Sequence, residues 1–160
     1  MPNVIADTSP IQYLYQTHLL DLLPKIYDSI ILPQAVADEL AAGLALGVPL
    51  PDLASLSWLE VRTTQINLAL PEISGLGAGE TEALALALEI EDSLVIVDDA
   101  LARHYAKQLG IKFTGTLGIL LKAKQLGELE SLAPILAELE MLGFRLDSST
   151  GIAVLKLAGE

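Results

Sequence analysis

Asn3-Val4-Ile5-Ala6-Asp7-Thr8-Ser9-Pro10 decides how this chain is read. A short apolar run stops at a carboxylate, and a hydroxyl followed by proline then opens a helix. Leu94-Val95-Ile96-Val97 repeats the arrangement late in the chain and stops at Asp98-Asp99. Runs of this kind are the pattern of buried parallel strands, and open α/β sheets place their sites at the carboxyl ends of such strands. Two further acids, Glu39 and Glu80, fall on intervening helices, so the sequence offers a carboxylate cluster without matching basic residues. Such a cluster asks for a divalent cation.

Outward from these runs, Ser9 is the expected N-cap of the first helix with Pro10 at its first position, and Ile11, Leu14, Tyr15, His18 and Leu19 follow at helical spacing. A second strand at Ser29-Ile30-Ile31-Leu32 is followed by Pro33, which opens a helix carrying Val36, Glu39 and Leu40 to a stop at Gly43. Residues 47–57 read as a loop, Trp58-Leu59-Glu60-Val61 as a third strand, and residues 63–79 as a long irregular connection. Glu80 opens a helix of strong helix formers. After the strand ending at Asp98 come a helix through Arg103 to Leu109, a short strand Ile111-Lys112-Phe113 and the turn Thr114-Gly115-Thr116. Helix formers fill residues 117–125 and 132–142, and Asp147 is the expected cap before a last helix over 152–157. Strands alternating with helices predict an α/β fold with a mostly parallel sheet covered on both faces through right-handed crossovers. Neither an internal repeat nor a linker interrupts residues 1–160, which read as a single domain.

Composition narrows the chemistry. With 160 residues, 52% of them hydrophobic, the chain is long and apolar enough to bury a sizeable core. The absence of cysteine excludes disulfides, thiolate zinc sites and cysteine nucleophiles. Only two histidines are present, so the metal expected at the acids is a hard, oxygen-seeking ion, Mg²⁺ or Mn²⁺. Asp7 falls where a signal peptide would run apolar, and no stretch approaches the ~18 uninterrupted apolar residues of a membrane span, so a cytoplasmic protein is expected. The Leu-rich helix faces could also feed an oligomer interface.

Nine Lys and Arg stand against 21 Asp and Glu, a net charge of −12. Nucleic-acid binders usually carry a basic surface, because neutralising phosphates supplies most of their non-specific affinity. Either the substrate is not nucleic acid, or a metal and local cations among Arg62, Arg103, Lys107, Lys112, Lys122 and Lys124 supply the attraction, or a basic partner completes the surface.

Carboxylates within ~4–6 Å raise one another's pKa and resist joint ionisation until a cation fills the site. A Mg²⁺ or Mn²⁺ held by them polarises a phosphate and lowers the pKa of a bound water, which makes phosphodiester hydrolysis the natural reaction. Each acid also has a plainer role open to it. Asp7 can stabilise the turn before the first helix, Glu39 sits mid-helix where exposed glutamates are common, and Glu80 or Glu82 can serve the helix dipole. Asp98 or Asp99 can cap the next helix, but one cap suffices. Arg103 pairs with a carboxylate or contacts a phosphate, and Thr114 and Thr116 either build a turn and cap or bring hydroxyls to the same rim.

Five segments in order, Ala6-Asp7-Thr8-Ser9-Pro10, Glu39-Leu40, Gly79-Glu80-Thr81-Glu82-Ala83, Val97-Asp98-Asp99 with Arg103, and Thr114-Gly115-Thr116-Leu117-Gly118, resemble a PIN domain. Gly143-Phe144-Arg145 and the closing Gly159-Glu160 are similar to one branch of PIN-like proteins from bacteria and archaea. The resemblance implies an α/β/α three-layer sandwich and a Mg²⁺- or Mn²⁺-dependent ribonuclease. It implies Asp7, Glu39, Glu80 and Asp98 as catalytic, metal-binding acids, Asp99 as a fifth ligand, and Thr8, Ser9, Arg103 and Thr116 in support. Many bacterial relatives are the toxins of toxin–antitoxin pairs, homodimeric and silenced by a small antitoxin. Two departures stand out: Glu80 replaces the aspartate of many PIN domains, and the net charge is strongly negative.

A haloacid-dehalogenase phosphatase needs a second Asp where Ser9 stands, and a receiver domain places its acid pair after the first strand rather than at Asp98-Asp99. The remaining rival is a catalytically degenerate PIN-like fold that binds a partner protein through its Leu-rich faces. Convergence of the four acids separates the two.

Overall fold

The structure, a computed structural model, describes residues 2–65 and 75–160. Most of the irregular connection expected over 63–79 therefore lies outside the described residues. The elements follow in the order β1 (Asn3–Ala6), α1 (Thr8–Gln16), α2 (Leu22–Tyr27), β2 (Ile30–Pro33), α3 (Gln34–Ala45), a 3₁₀ turn (Leu53–Ser55), β3 (Leu59–Arg62), α4 (Ala78–Glu89), β4 (Ser93–Ile96), α5 (Ala100–Gln108), β5 (Lys112–Thr114), α6 (Thr116–Gln125), α7 (Ala133–Met141) and α8 (Ser148–Leu157). All the strand pairs are parallel and the order across the sheet is β3-β2-β1-β4-β5. The order reverses between β1 and β4, and at such a switch point the two following connections leave in opposite directions and open a crevice at the carboxyl ends.

Alternation along the strands separates two cores. Val4, Ala6, Ile30, Leu32 and Ile96 face one side, where α1, α2, α3, α6 and α7 cover them. Ile5, Ile31, Val95 and Val97 face the other, beneath α4 and α5. This two-residue period, apolar on both faces, is the signature of a sheet buried between helical layers. The fold is the expected α/β three-layer sandwich. Among the described residues no helix is long and apolar enough to cross a membrane.

The structure departs from the sequence reading in local ways. The first helix stops at Gln16, and His18, expected on it, adopts a left-handed backbone with φ 61°. A further short helix, α2, follows; its Pro24 lies in the first turn, where a missing N–H leaves no bond unmade. Ser9 is not the cap of α1, because Asp7 occupies that position and Ser9 is already helical. Gly43 does not end α3, which runs on to Ala45. That glycine instead makes room for Leu50, whose Cδ1 would stand 2.6 Å from a Cβ placed there. Strands β2, β3 and β5 each sit one residue later than expected, and β4 one earlier.

Candidate active site

Asp7 follows the last residue of β1, and its backbone N–H still donates to Ile96 O of β4 at 3.0 Å. The ladder therefore carries Asp7 to the switch-point edge. Its side chain makes no capping bond to α1, although the residue stands at the N-cap, and only 4% of the residue is exposed. Burial pushes its carboxyl up to about 7, the Thr8 amide opposes the shift, and the charges of Glu80, Glu39 and Asp98 add to it. Three of the expected acids thus act on the fourth through a shared field.

Asp98 reaches the same edge from β4. Its oxygens accept from the Thr116 amide at 2.7 Å and the Thr116 hydroxyl at 2.6 Å, at the start of α6. Burial raises its pKa, while both Thr116 bonds and the Arg103 guanidinium hold it back. Glu39 projects from α3, accepts from the Thr8 hydroxyl, and takes the Gly79 amide at 3.2 Å. Glu80 accepts the Gly77 amide at 2.6 Å, closing the first turn of α4. Its pKa is raised by burial first and then by Asp99 and Glu39.

Asp99 and Glu82 do plainer work. Asp99 caps α5 through the Ala102 amide at 2.9 Å. Glu82 crosses to the Ala35 amide at 2.6 Å and caps α3, whereas Glu80 lies in the lining of the cleft. Thr8 and Thr116 hold Glu39 and Asp98 respectively, and Arg103 lies over the Phe113 ring at 5.1 Å.

Three glycines, two of them in motifs that the sequence showed without a reason, make room for the acids. A Cβ on Gly79 would stand 2.8 Å from a Glu39 oxygen, one on Gly77 would stand 3.0 Å from Glu80, and one on Gly115 would stand 2.7 Å from Asp98. None of the three needs a left-handed backbone. Their missing side chains are the space into which the acids fold.

A cleft of about 910 Å³ opens at this edge and is lined by Ser9, Glu80, Asp98, Asp99 and Arg103, together with Tyr13, Phe113 and the C-terminal residues Gly143, Phe144 and Arg145. Asp7, Glu39, Thr8 and Thr116 are not part of its lining. Of the cations expected to draw a substrate, Arg62 pairs with Glu60, Lys124 with Glu160, and Lys122 lies over Tyr27; only Arg103 reaches the cleft. Arg145, which carried only a family resemblance in the sequence, joins it there.

The donor set fits a hard divalent cation in kind, since it is all carboxylate and its buried member is destabilised as an anion. It is not preassembled as a ligand cage: among the described residues no three Asp, Glu or His side chains stand close enough together to hold an ion. Both oxygens of Glu39 and of Asp98, and one of Glu80, accept from amides and hydroxyls.

No curated protein matches the chain. The family model DUF3368, described as a PIN domain, matches residues 3–160. That span includes every acid described above and the C-terminal wall of the cleft, and a PIN domain is a nuclease-type fold. By that match, and by a parallel sheet with acids at its switch point, the chain belongs to the PIN-domain family.

Proposed function

We propose that this PIN domain is a metal-dependent endoribonuclease. The observation that supports the reading most is the geometry of the switch point: the β1–β4 ladder carries Asp7 there, Thr8 beside it binds Glu39, Glu39 binds the start of the helix that bears Glu80, and Asp98 follows β4. Asp7 and Asp98 would hold a Mg²⁺ or Mn²⁺ directly, with Glu39 and Glu80 direct or through water and Asp99 at the margin. When bound, such an ion supplies Lewis-acid polarisation of the phosphate and a water of lowered pKa. The chain's own residues do the positioning: Thr116 fixes Asp98, Thr8 and Gly79 fix Glu39, and Gly77 fixes Glu80. Ser9 and Arg103 face the cleft where a backbone phosphate would lie. In this reading water is the nucleophile, and no covalent intermediate is expected.

In the same reading the protein is cytoplasmic, homodimeric, and the toxin of a toxin–antitoxin pair whose small antitoxin covers the cleft. One observation favours the rival, a degenerate PIN fold acting as a protein-interaction module: the carboxylates are not gathered into a ready ligand group. Titration with Mn²⁺ and Mg²⁺ followed by thermal shift, for wild type and Asp7→Asn, separates the two. Stabilisation that disappears in the variant, with RNA cleavage by wild type alone, supports the nuclease. No shift in either protein and no cleavage supports the interaction module.

A further inference from the structure

The cleft's C-terminal wall is not explained by the acids. Gly143, Phe144 and Arg145 reach it from the segment between α7 and α8, and the Phe144 ring packs edge-on against Tyr13 of α1 at 5.1 Å and 88°. That contact ties the segment to α1, the helix that follows Asp7. Arg145 is exposed and has neither an ion pair nor a hydrogen bond among the described residues. The neighbouring acid, Asp147, turns one oxygen to α8, where Oδ1 accepts from the Thr150 amide at 2.7 Å and the Ser149 hydroxyl at 3.0 Å, and it forms no ion pair with Arg145.

Two features of this lining stand out against the whole chain. Both of its cations, Arg103 and Arg145, are arginines, in a protein with nine basic residues and a net charge of −12. Both phenylalanines of the chain, with Tyr13, line it as well. Arginine presents a planar fork that matches phosphate oxygens, and aromatic rings beside it take unstacked bases, which only a single strand offers. The same lining carries Glu80, Asp98, Asp99 and Asp147, so the two arginines are its sole attraction for a phosphate. A duplex keeps its bases stacked and would present only its phosphates.

Resting on the nuclease reading, we propose that Arg145 is a substrate-binding residue that holds a backbone phosphate of single-stranded RNA in the cleft, beside the Tyr13–Phe144 rings. Arg145 makes no hydrogen bond or ion pair with Asp7, Glu39, Glu80 or Asp98, so its loss weakens binding while the acids keep their own contacts.

Fluorescence anisotropy of a labelled single-stranded oligoribonucleotide tests this, using Asp7→Asn protein so that the RNA stays intact, with and without Arg145→Ala or Arg145→Lys. The expected result is roughly tenfold weaker binding for the alanine variant, the scale of one charge-assisted phosphate contact, with partial recovery by lysine. The slope of log affinity against log salt falls by about 0.7, the single-strand value for one contact. In the Asp7-containing protein, Arg145→Ala raises KM for cleavage and leaves kcat nearly unchanged. Unchanged affinity and slope with continued cleavage by wild type overturn the role of Arg145 and leave the nuclease reading standing. Equal affinity for a duplex of the same sequence overturns the single-strand assignment. Absence of both RNA binding and cleavage overturns this inference together with the reading it rests on.

Discussion

Replacing Asp7 by Asn should make the protein more stable, and by an amount that depends on pH in a defined way. Asp7 ionises near 3.8 when solvated and at about 7 in the folded protein, chiefly because burial penalises its charge. Above the unfolded value the unfolded chain gives up the proton while the folded chain keeps it. Ionisable Asp7 therefore subtracts stability progressively as pH rises from about 4 to about 7, and the full penalty is present above that window. At 1.36 kcal/mol per tenfold change in proton affinity, the difference amounts to about 4 kcal/mol as a ceiling. Asparagine keeps the shape but carries no charge, so we expect a gain of about 2–4 kcal/mol at pH 8, or roughly 5–15 °C in Tm for a domain of this size. Urea unfolding at pH 8, 6 and 4 in metal-free buffer reads the difference, which should shrink steadily and vanish near pH 4. A variant less stable than wild type at pH 8, or a difference that does not move with pH, would refute the reasoning. Mn²⁺ should reverse the order in favour of wild type, because only the carboxylate gains a partner when the cation competes with its proton.

Three further outcomes follow from neighbouring contacts. Glu82→Ala removes the acceptor from the Ala35 amide at the start of α3, and it should cost about 1 kcal/mol in urea unfolding while leaving the metal-dependent thermal shift unchanged, in contrast to Glu80→Gln. Thr116→Val deletes a fully buried hydroxyl bound to Asp98, which should lower stability by about 2 kcal/mol and drive the Asp98 carboxyl still higher, seen as an upward move of its titration by carboxyl NMR. Glu160 accepts from the Leu132 and Ala133 amides, the Ser131 hydroxyl and Lys124, which draw its carboxyl down to about 2. Because the folded value lies below the ordinary one of 4.5, this anchorage is complete above about 4.5 and is lost as pH falls toward 2. Hydrogen exchange should show α8 losing protection across that window in wild type, and Glu160→Ala should show the loss already at neutral pH; equal protection in both proteins would deny the anchor.

How much of this was legible in the sequence depended on whether a signal was local. The runs ending at Asp7 and Asp98 marked strands because both faces of a parallel sheet are buried, and apolar continuity states that directly. The sheet order was not legible: nothing in Val4 or Val95 says that β1 and β4 are neighbours across the reversal. Gly43 read as a stop because glycine ends helices, whereas its role is to admit Leu50, a contact no local pattern encodes. The plain role of Glu82 was equally hidden, since its partner Ala35 lies 47 residues away. Gly77, Gly79 and Gly115 were visible as punctuation, but their function as hollows for carboxylates required the fold. Arg145 was the most instructive omission. One exposed arginine near the C-terminus carries no periodicity, and only the Phe144–Tyr13 contact shows why that segment reaches the cleft.

The placement of the acids also bears on why a −12 protein would need its two cleft arginines. A strand–helix repeat gathers helix N-termini at the carboxyl edge of the sheet, and their free amides and positive dipole ends are the usual seat of a bound phosphate. In this chain the protein's own carboxylates take such seats at α4 and α6, and the buried Asp7 stands at the third without a capping bond. Asp7 stands at the N-cap of α1, Glu39 and Glu80 accept amides at the start of α4, and Asp98 accepts the first amide of α6. Gly79, Gly77 and Gly115 are the hollows into which Glu39, Glu80 and Asp98 fold at those termini. An incoming phosphate thus meets an edge where carboxylates already hold the Gly77, Gly79 and Thr116 amides, the reverse of a dinucleotide-binding crevice with the same strand reversal. Attraction has to come from a cation held by the acids and from side chains outside the helix ends, and Arg103 and Arg145 are the two basic residues in the cleft's lining. Removing the metal should therefore make RNA affinity depend more steeply on those arginines, and Arg103→Ala with Arg145→Ala should abolish measurable binding in EDTA while a residual, metal-dependent affinity survives in Mn²⁺. Loss of binding to the same extent in both buffers would show that the acids and the arginines do not share one substrate.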